Sequence, residues 1–342
     1  MPSLSCSPLR RGLLLAAVIP LSLIAAATAN ATDKQFRVIC NNWSGFAPVF
    51  VAADLGYFKA LGLDVSVKLD DEQSDALAGL TRGDIEVDMR TVDDYQRRPR
   101  TDATPGVMIG TIDESVGGDG VVASGAIKTV ADLKGKTVAM ETDIPAYLLM
   151  QLELEKAGLT YKDVHIKQTA GSDALSVFAD PSIDAIGTFQ PFMDQAVKMQ
   201  AARGAHTLIS SATYPGFIID AIIVNQDKLK ADPDGYKDFL IGVYKAVDYF
   251  KTNPADFMKL AAPHYNLSVD DFKASIDGSL NYTDLAKAQE YFGSAAAPGP
   301  LYKTFDSLMH LNMENGASDT TLSAGHSFDP SVLASITAAD LK

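Results

Sequence analysis

The chain has 342 residues, and 47% hydrophobic against 21% charged side chains is the composition of a polypeptide that buries a core, which excludes wholesale disorder. Its 29 Lys and Arg against 43 Asp and Glu leave a formal charge of −14, a balance that argues against a nucleic-acid partner. Two cysteines and five scattered histidines exclude a disulfide framework and zinc-finger spacing, while the length predicts roughly two domains.

Residues 1–29 hold no acid and two bases, Arg10 and Arg11, then an apolar run from Leu13 to Ile24 that leads to Ala27-Thr28-Ala29. A basic start, a short apolar stretch and an Ala-x-Ala site are the parts of a secretory signal peptide. Counted through the alanines to Ala27, the apolar run is about 15 residues, interrupted by Pro20, whereas a membrane span needs about 20. A cleaved signal is therefore expected, with cleavage after Ala29 or Ala31. Cys6 precedes the apolar run, where a lipoprotein cysteine does not sit. Loss of the segment removes two of the 29 bases and leaves 27 against 43 acids, a net −16. It also leaves one cysteine, Cys40, and so no internal disulfide. Cys40 ends the run Phe36-Arg37-Val38-Ile39-Cys40 and reads as a small buried hydrophobe in a strand.

Short β-branched runs at 36–40, 64–68, 106–112, 119–124, 137–141, 164–168, 184–188 and 218–225 predict strands. Helical spacing falls between them. Asp75 to Leu80 forms one such segment, closed at Gly83; Pro145 opens another that Gly158 closes; Gln190 to Arg203 is a third, ended by Gly204. This alternation predicts parallel sheets with helices on both faces. After Asn225 the pattern is helical. Residues 236–250 place Phe239, Leu240, Val243, Tyr244, Val247 and Phe250 on one face, and further helices are expected at 255–262, 269–277, 284–292 and 301–314. No strand is evident there.

Catalytic signatures are missing. The chain has no phosphate-binding Gly-x-x-x-x-Gly-Lys-Ser/Thr loop, no Gly-x-Gly-x-x-Gly after a strand and no Gly-x-Ser-x-Gly. Gly117-Gly118-Asp119-Gly120 leads into a strand, so it aims no helix N–H groups at a phosphate. No histidine has a His or Cys partner at metal-ligand spacing. Neither an enzyme, a cofactor nor a metal site is expected.

A distinctive block follows the first strand: Asn42-Trp43-Ser44-Gly45-Phe46-Ala47-Pro48, then Leu55-Gly56-Tyr57-Phe58-Lys59, Gly62-Leu63-Asp64-Val65, and Ala78-Gly79-Leu80 with Gly83-Asp84. Further on come Asp113-x-Ser115-x-Gly117-Gly118-Asp119, the run Asp132 to Ala139, Asp184-Ala185 with Pro191, and Asn253-Pro254. In order and spacing these resemble the periplasmic solute-binding proteins of ABC transporters for nitrate, taurine, sulfonates and thiamine-pyrimidine precursors. On physical grounds Gly56 and Gly62 are turn residues, and Tyr57, Phe58, Leu63 and Val65 are core. The resemblance implies a type II periplasmic binding fold of two lobes, crossed twice, near Asp113–Gly118 and Asp220–Asn225. Lobe one is then 32–117 with 223–342, and lobe two 118–222. It also implies a monomer that hands a small solute to a membrane permease and its ATPase.

Ligands of α/β sheets bind beyond the carboxyl ends of strands. The segments there are 42–47, 91–95, 113–119, 141–147, 188–192 and 213–220. They carry the acids Asp93, Asp94, Asp113, Glu114, Asp119, Glu141, Asp143 and Asp220. Their aromatics are Trp43, Phe46, Tyr95, Tyr147, Phe189, Phe192, Tyr214 and Phe217. They contain no Lys or Arg, and Arg90 only borders one. Acids and ring faces without bases suit an organic cation, amine or guanidinium-like, each ring contributing about 0.5–2 kcal/mol. The expected ligand set is Trp43, Phe46, Asp93, Asp113, Ser115, Asp119, Asp143, Tyr147, Phe189, Gln190 and Asp220. Some of these acids have structural alternatives: Asp143 can cap the helix that Pro145 opens, and Asp113 and Asp119 can fix the crossing strands. The alternative ligands are a sulfonate or taurine-type anion, held by helix N–H groups, and a thiamine-pyrimidine precursor. A pyrimidine-synthase-like enzyme is a further alternative, since Asn42-Trp43 is similar to that branch's pyrimidine-stacking segment. The single mature cysteine argues against it, because those enzymes use a cysteine-rich segment. A periplasmic sensor is the remaining alternative, and gene neighbourhood distinguishes it from a transport protein.

Overall fold

A computed structural model describes residues 33–70, 76–98, 106–171, 173–314 and 316–342. The expected signal segment and Asp75, where a helix was expected to begin, lie outside the described residues. In chain order the strands are β1 (Lys34–Cys40), β2 (Leu63–Leu69), β3 (Val87–Thr91), β4 (Gly106–Ser115), β5 (Asp119–Ala123), β6 (Thr137–Met140), β7 (His165–Gln168), β8 (Ala185–Phe189), β9 (His206–Ser210), β10 (Ile219–Asn225) and β11 (Leu280–Tyr282). They form two mixed sheets, ordered β11-β4-β10-β3-β1-β2 and β7-β6-β8-β5-β9.

Each sheet has a parallel half and one reversed interior strand. β1 pairs in parallel with β2 and β3, while β10 runs antiparallel between β3 and β4. Likewise β6 pairs in parallel with β7 and β8, while β5 runs antiparallel between β8 and β9. The reversal follows from the connections. β5 and β10 are the strands that the chain enters on passing from one sheet to the other, through short links at 116–118 and 211–218. Such links are far shorter than the helical crossover that parallel pairing requires. β10 lies wholly in the first sheet, so the return passage is 211–218, upstream of the expected Asp220–Asn225.

The first lobe's core forms where helices cover its sheet. The helix Pro233–Thr252 buries Phe239, Leu240, Val243, Tyr244 and Val247, the face that its spacing predicts. Phe239 stacks on Phe58 with ring centres 5.3 Å apart, and Tyr244 donates to the Thr111 carbonyl at 3.1 Å. Gly56 and Gly62 take left-handed φ values of 72° and 77°, as turn residues do. Cys40 is fully buried.

Three strands escape the sequence pattern. β3 reads Val-Asp-Met-Arg-Thr, yet every residue is buried. Its Asp88 and Arg90, two apart, share a face of the sheet and neutralise each other. β9 is a polar-flanked strand at the sheet's edge. β11 corrects the expectation of an all-helical end, since Leu280–Tyr282 pairs with Asp113–Ser115 of β4.

Candidate functional site

Because β5 and β10 are reversed, their first residues sit at the same edge as the last residues of their parallel neighbours. Asp113 near the end of β4, Asp119 at the start of β5 and Asp220 at the start of β10 therefore converge where the two sheets meet. The links between the sheets are tied together there. Ser115 and Ser211 hydroxyls lie 2.8 Å apart, and Glu114 accepts from the Gly216 N–H at 2.5 Å and the Tyr291 hydroxyl at 2.8 Å. Beside this hinge is a cavity of ≈ 30 Å³. Its walls are Asn41, Trp43, Arg90, Thr91, Asp94, Asp119, Asp143, Ile144, Pro145, Phe189 and Asp220.

Trp43 is positioned by the loop after β1. Its N–H donates to the Asn41 side chain at 3.2 Å, its carbonyl accepts from Tyr265 at 3.1 Å, and the next carbonyl, of Ser44, accepts from Tyr282 at 2.9 Å. The helical C-terminal region thus buttresses the loop. The indole N–H donates to Asp113 Oδ1 at 3.0 Å, and the ring meets Phe189 edge-on at 6.3 Å. Two glycines make room for it. A Cβ on Gly45 would lie 2.1 Å from the indole nitrogen and 2.2 Å from Asp113 Oδ2, and one on Gly118 would lie 2.3 Å from the far ring edge.

One wall carries arginines that the loop-by-loop reading missed. Arg90 donates to Asp88 at 2.7 and 3.1 Å and to Asp94 at 2.8 Å. Arg98 joins Asp94 at 2.8 Å to Asp143 at 2.9 Å. Arg97 pairs with Asp93 and donates to the Thr142 and Ile144 carbonyls, the latter at 3.2 Å. Arg97 and Arg98, which follow β3, therefore grip the loop that follows β6. A signal was present: Asp93 and Asp94 stand four residues before Arg97 and Arg98, the spacing of helical ion pairs. Burial pushes Asp94 up, but Arg90, Arg98 and Arg97 outweigh it and hold it below the ordinary carboxylate value. Burial also raises Asp93, and there it outweighs Arg97 and Asn312.

The other wall has no such partners. Among the described residues, Asp113, Asp119 and Asp220 form no ion pair, although they are at most 4% exposed. Burial, then the charges of Asp119 and Glu114, push Asp113 up to about 7 against the indole N–H. Burial, with Asp93 nearby, takes Asp119 to about 7. Burial and the charges of Asp113 and Asp119 hold Asp220 well above the carboxylate range. Among the described residues no three His, Cys, Asp or Glu side chains are grouped as metal ligands.

Of the expected ligand residues, the cavity wall gathers Trp43, Asp119, Asp143, Phe189 and Asp220, with Asp113 behind the indole. The others lie apart from it. Phe46 is buried in the turn Ser44–Phe46. Asp93 is taken by Arg97 and by Asn312 at 3.0 Å. Ser115 serves the hinge. Tyr147 stacks on Tyr161 at 4.1 Å. Gln190 accepts from the Asp194 N–H at 3.4 Å. Asp143 does not cap its helix: Ile144 occupies the N-cap position, and Asp143 pairs with Arg98.

Two sheets bridged by two short links, with a polar cavity at the hinge, define the two-lobed fold of periplasmic solute-binding proteins. The model of the NMT1/THI5-like family matches residues 43–257, and the chain belongs to that family. A putative binding protein of Brucella abortus (strain 2308) is 26% identical over 145 residues, 42% of this chain. That match spans less than half of the relative, 45% of its length. The alkanesulfonate-binding protein SsuA from Xanthomonas axonopodis pv. citri, solved bound to MOPS, superposes with a TM-score of 0.69 at 15% identity, covering 87% of this chain and 99% of that one. The periplasmic nitrate-binding protein NrtA from Synechocystis PCC 6803 superposes with a TM-score of 0.65 at 15% identity, over 91% of this chain and 87% of that one.

Proposed function

We propose that the protein is the periplasmic solute-binding component of an ABC importer, exported by a cleaved signal peptide, and that it captures a small organic cation between the lobe of the first sheet, 32–117 with 219–342, and the lobe of the second, 118–210, joined back through 211–218. One observation carries the choice of ligand charge. Asp119 and Asp220 face the cavity without a cation, while the arginines nearby are already committed to other aspartates. An amine or guanidinium supplies the missing charge, and Trp43 and Phe189 supply apolar and ring surface. A cavity of ≈ 30 Å³ is far below the roughly 300–1,000 Å³ of organic-ligand sites, so the lobes part to admit a solute.

A sulfonate-type anion is the second reading. It is favoured by Arg90 on the cavity wall and by the alkanesulfonate named for the Xanthomonas protein. Against it, an anion at Arg90 competes with Asp88 and Asp94 for one guanidinium. A thermal-shift and calorimetry panel of amines, guanidines, quaternary ammoniums, pyrimidines, alkanesulfonates and nitrate separates the two. A ligand at 100 times its Kd stabilises the folded state by about 2.7 kcal/mol. Stabilisation by a guanidine or amine supports the cation reading. Stabilisation by a sulfonate or nitrate alone overturns it and leaves the solute-binding role intact.

A further inference from the structure

Asp113 and Asp220 are directly opposite partners on the adjacent antiparallel strands β4 and β10. Like charges in that relation repel even when exposed. Here both are buried, at 0% and 3% exposure. Asp113 Oδ1 is satisfied by the indole N–H at 3.0 Å, but its Oδ2 is buried with no donor when both carboxyls are ionised. Among the described residues it is the carboxyl of Asp220 that is placed to give Oδ2 a hydrogen, and it can do so only if it carries a proton.

The surroundings do not offset the repulsion. Facing the pair are Glu114 on β4, Asp119 on β5 and Asp94 on the helix after β3, all acids. Tyr265 and Tyr282 adjoin Asp113 from the C-terminal region, and burial keeps both phenols un-ionised. The nearest base on the cavity wall is Arg90, which Asp88 and Asp94 hold.

We propose that capture is proton-linked: Asp113 and Asp220 share one proton across β4 and β10 in the ligand-free protein, and they release it to solvent when a cationic solute reaches the cleft. The shared proton is a property of the free protein. Its release on capture rests on the cation reading of the site. In the exchange an O–H···O bond between the carboxyls breaks, its proton leaves to water, and N–H donors of the cation take its place. Affinity for the cation therefore rises with pH until the pair is fully ionised.

The protein carries its own reporter, because Trp43 is the only tryptophan and its indole N–H is bonded to Asp113. Tryptophan emission of the full chain is followed from acid to alkaline pH, with and without methylguanidine, for wild type, Asp220→Asn and Asp113→Asn. The expected result is a transition in the native protein well above the ordinary carboxylate range, lost or displaced in both variants and moved to lower pH by methylguanidine. Emission that stays flat while the protein remains folded overturns the shared proton whatever the ligand. A transition unchanged in both variants does the same. If methylguanidine stabilises the protein against heat but leaves the transition in place, the proton linkage is wrong and the cation reading survives. If the transition is present but neither methylguanidine nor any amine of the panel binds, the cation reading fails, and the release on capture fails with it.

Discussion

On one side of the cleft Asp94 and Asp143 in the cavity wall, and Asp88 and Asp93 away from it, each accept from a guanidinium, while on the other Asp113, Asp119 and Asp220 have no cation within reach among the described residues. Asp143 apart, both groups are buried, and both come from strands or from the segments that follow them. The difference is where the neutralising charge comes from. The first group is balanced by the chain itself and is finished as structure: it fastens the helix after β3 to the loop after β6. The second group has no cation of the chain beside it, and on the proposed reading a proton or a bound cationic solute balances it. A count of acids near a cleft therefore says little about ligand charge. Subtracting the acids already paired leaves the ones that matter.

The contrast is most sharply tested by removing charge from each wall in turn. Arg90→Met leaves Asp88 and Asp94 buried without their guanidinium, and a broken buried pair costs about 3–5 kcal/mol. Urea unfolding at neutral pH should show that loss, and a loss of less than 1 kcal/mol would erase the distinction between the walls. Asp119→Asn should have the opposite sign. The folded-state value of Asp119, about 7, lies above its ordinary value, so the folded protein keeps a proton that the unfolded chain has lost. Wild-type stability from this group then declines as pH rises from about 4 to about 7 and levels off above. Asn has no such proton, so the variant gains on the order of 2–4 kcal/mol at pH 8 and nothing near pH 4. Parallel stability–pH curves for variant and wild type would count against it. A smaller effect is expected at the glycine under the indole. Gly118→Ala forces a Cβ toward the Trp43 ring, and such overpacking costs about 1–3 kcal/mol. It should also change tryptophan emission, whereas a purely backbone effect would leave emission unaltered.

How much of this was readable in the sequence follows from the same division. Strands such as Phe36–Cys40 and Ile219–Asn225 are runs of β-branched and apolar residues, and the helix over 233–252 repeats its apolar face, so pattern alone locates them. Val87–Thr91 does not yield to that reasoning, because Asp88 and Arg90 look like surface residues until each is seen to neutralise the other. The cleft behaved alike. Trp43, Asp119, Asp143, Phe189 and Asp220 were reachable from their places at strand ends. Arg90 escapes a reading by loops because it lies near the end of a strand and only borders the segment that follows. Arg97 and Arg98 were invisible to a loop-by-loop inventory, since they reach the cleft from one helical turn further on. Phe46 and Ser115, equally close to strand ends in the sequence, point into core and hinge, and no linear pattern separates them from Trp43. Leu280–Tyr282 is too short to announce itself, and it forms only because β4 offers an edge.

The smallest predicted effect concerns two ion pairs that, among the described residues, run from one lobe to the other. Arg98–Asp143 joins the helix after β3 to the loop after β6 with side chains 12% and 26% exposed. Lys198–Asp271 spans from the helix Phe192–Met199 to the helix Val269–Ile276 at 3.3 Å with side chains 64% and 53% exposed. Water screens the second pair, and exposed pairs of that kind often contribute nothing measurable. The first is shielded, and Arg98 also carries Asp94, so its loss should weaken the closed arrangement by about 1 kcal/mol. A solute held between the lobes binds more weakly by whatever the closed form has lost, and 1 kcal/mol corresponds to about a fivefold rise in Kd. Calorimetry with the strongest-binding cation of the panel should therefore separate Arg98→Met from Lys198→Met, the first raising Kd about fivefold and the second leaving it unchanged. High salt should not mimic Arg98→Met, because the Arg98 pair is largely sheltered from counter-ions. Equal effects of the two substitutions would mean that the arginine wall braces the first lobe alone and takes no part in holding the cleft shut.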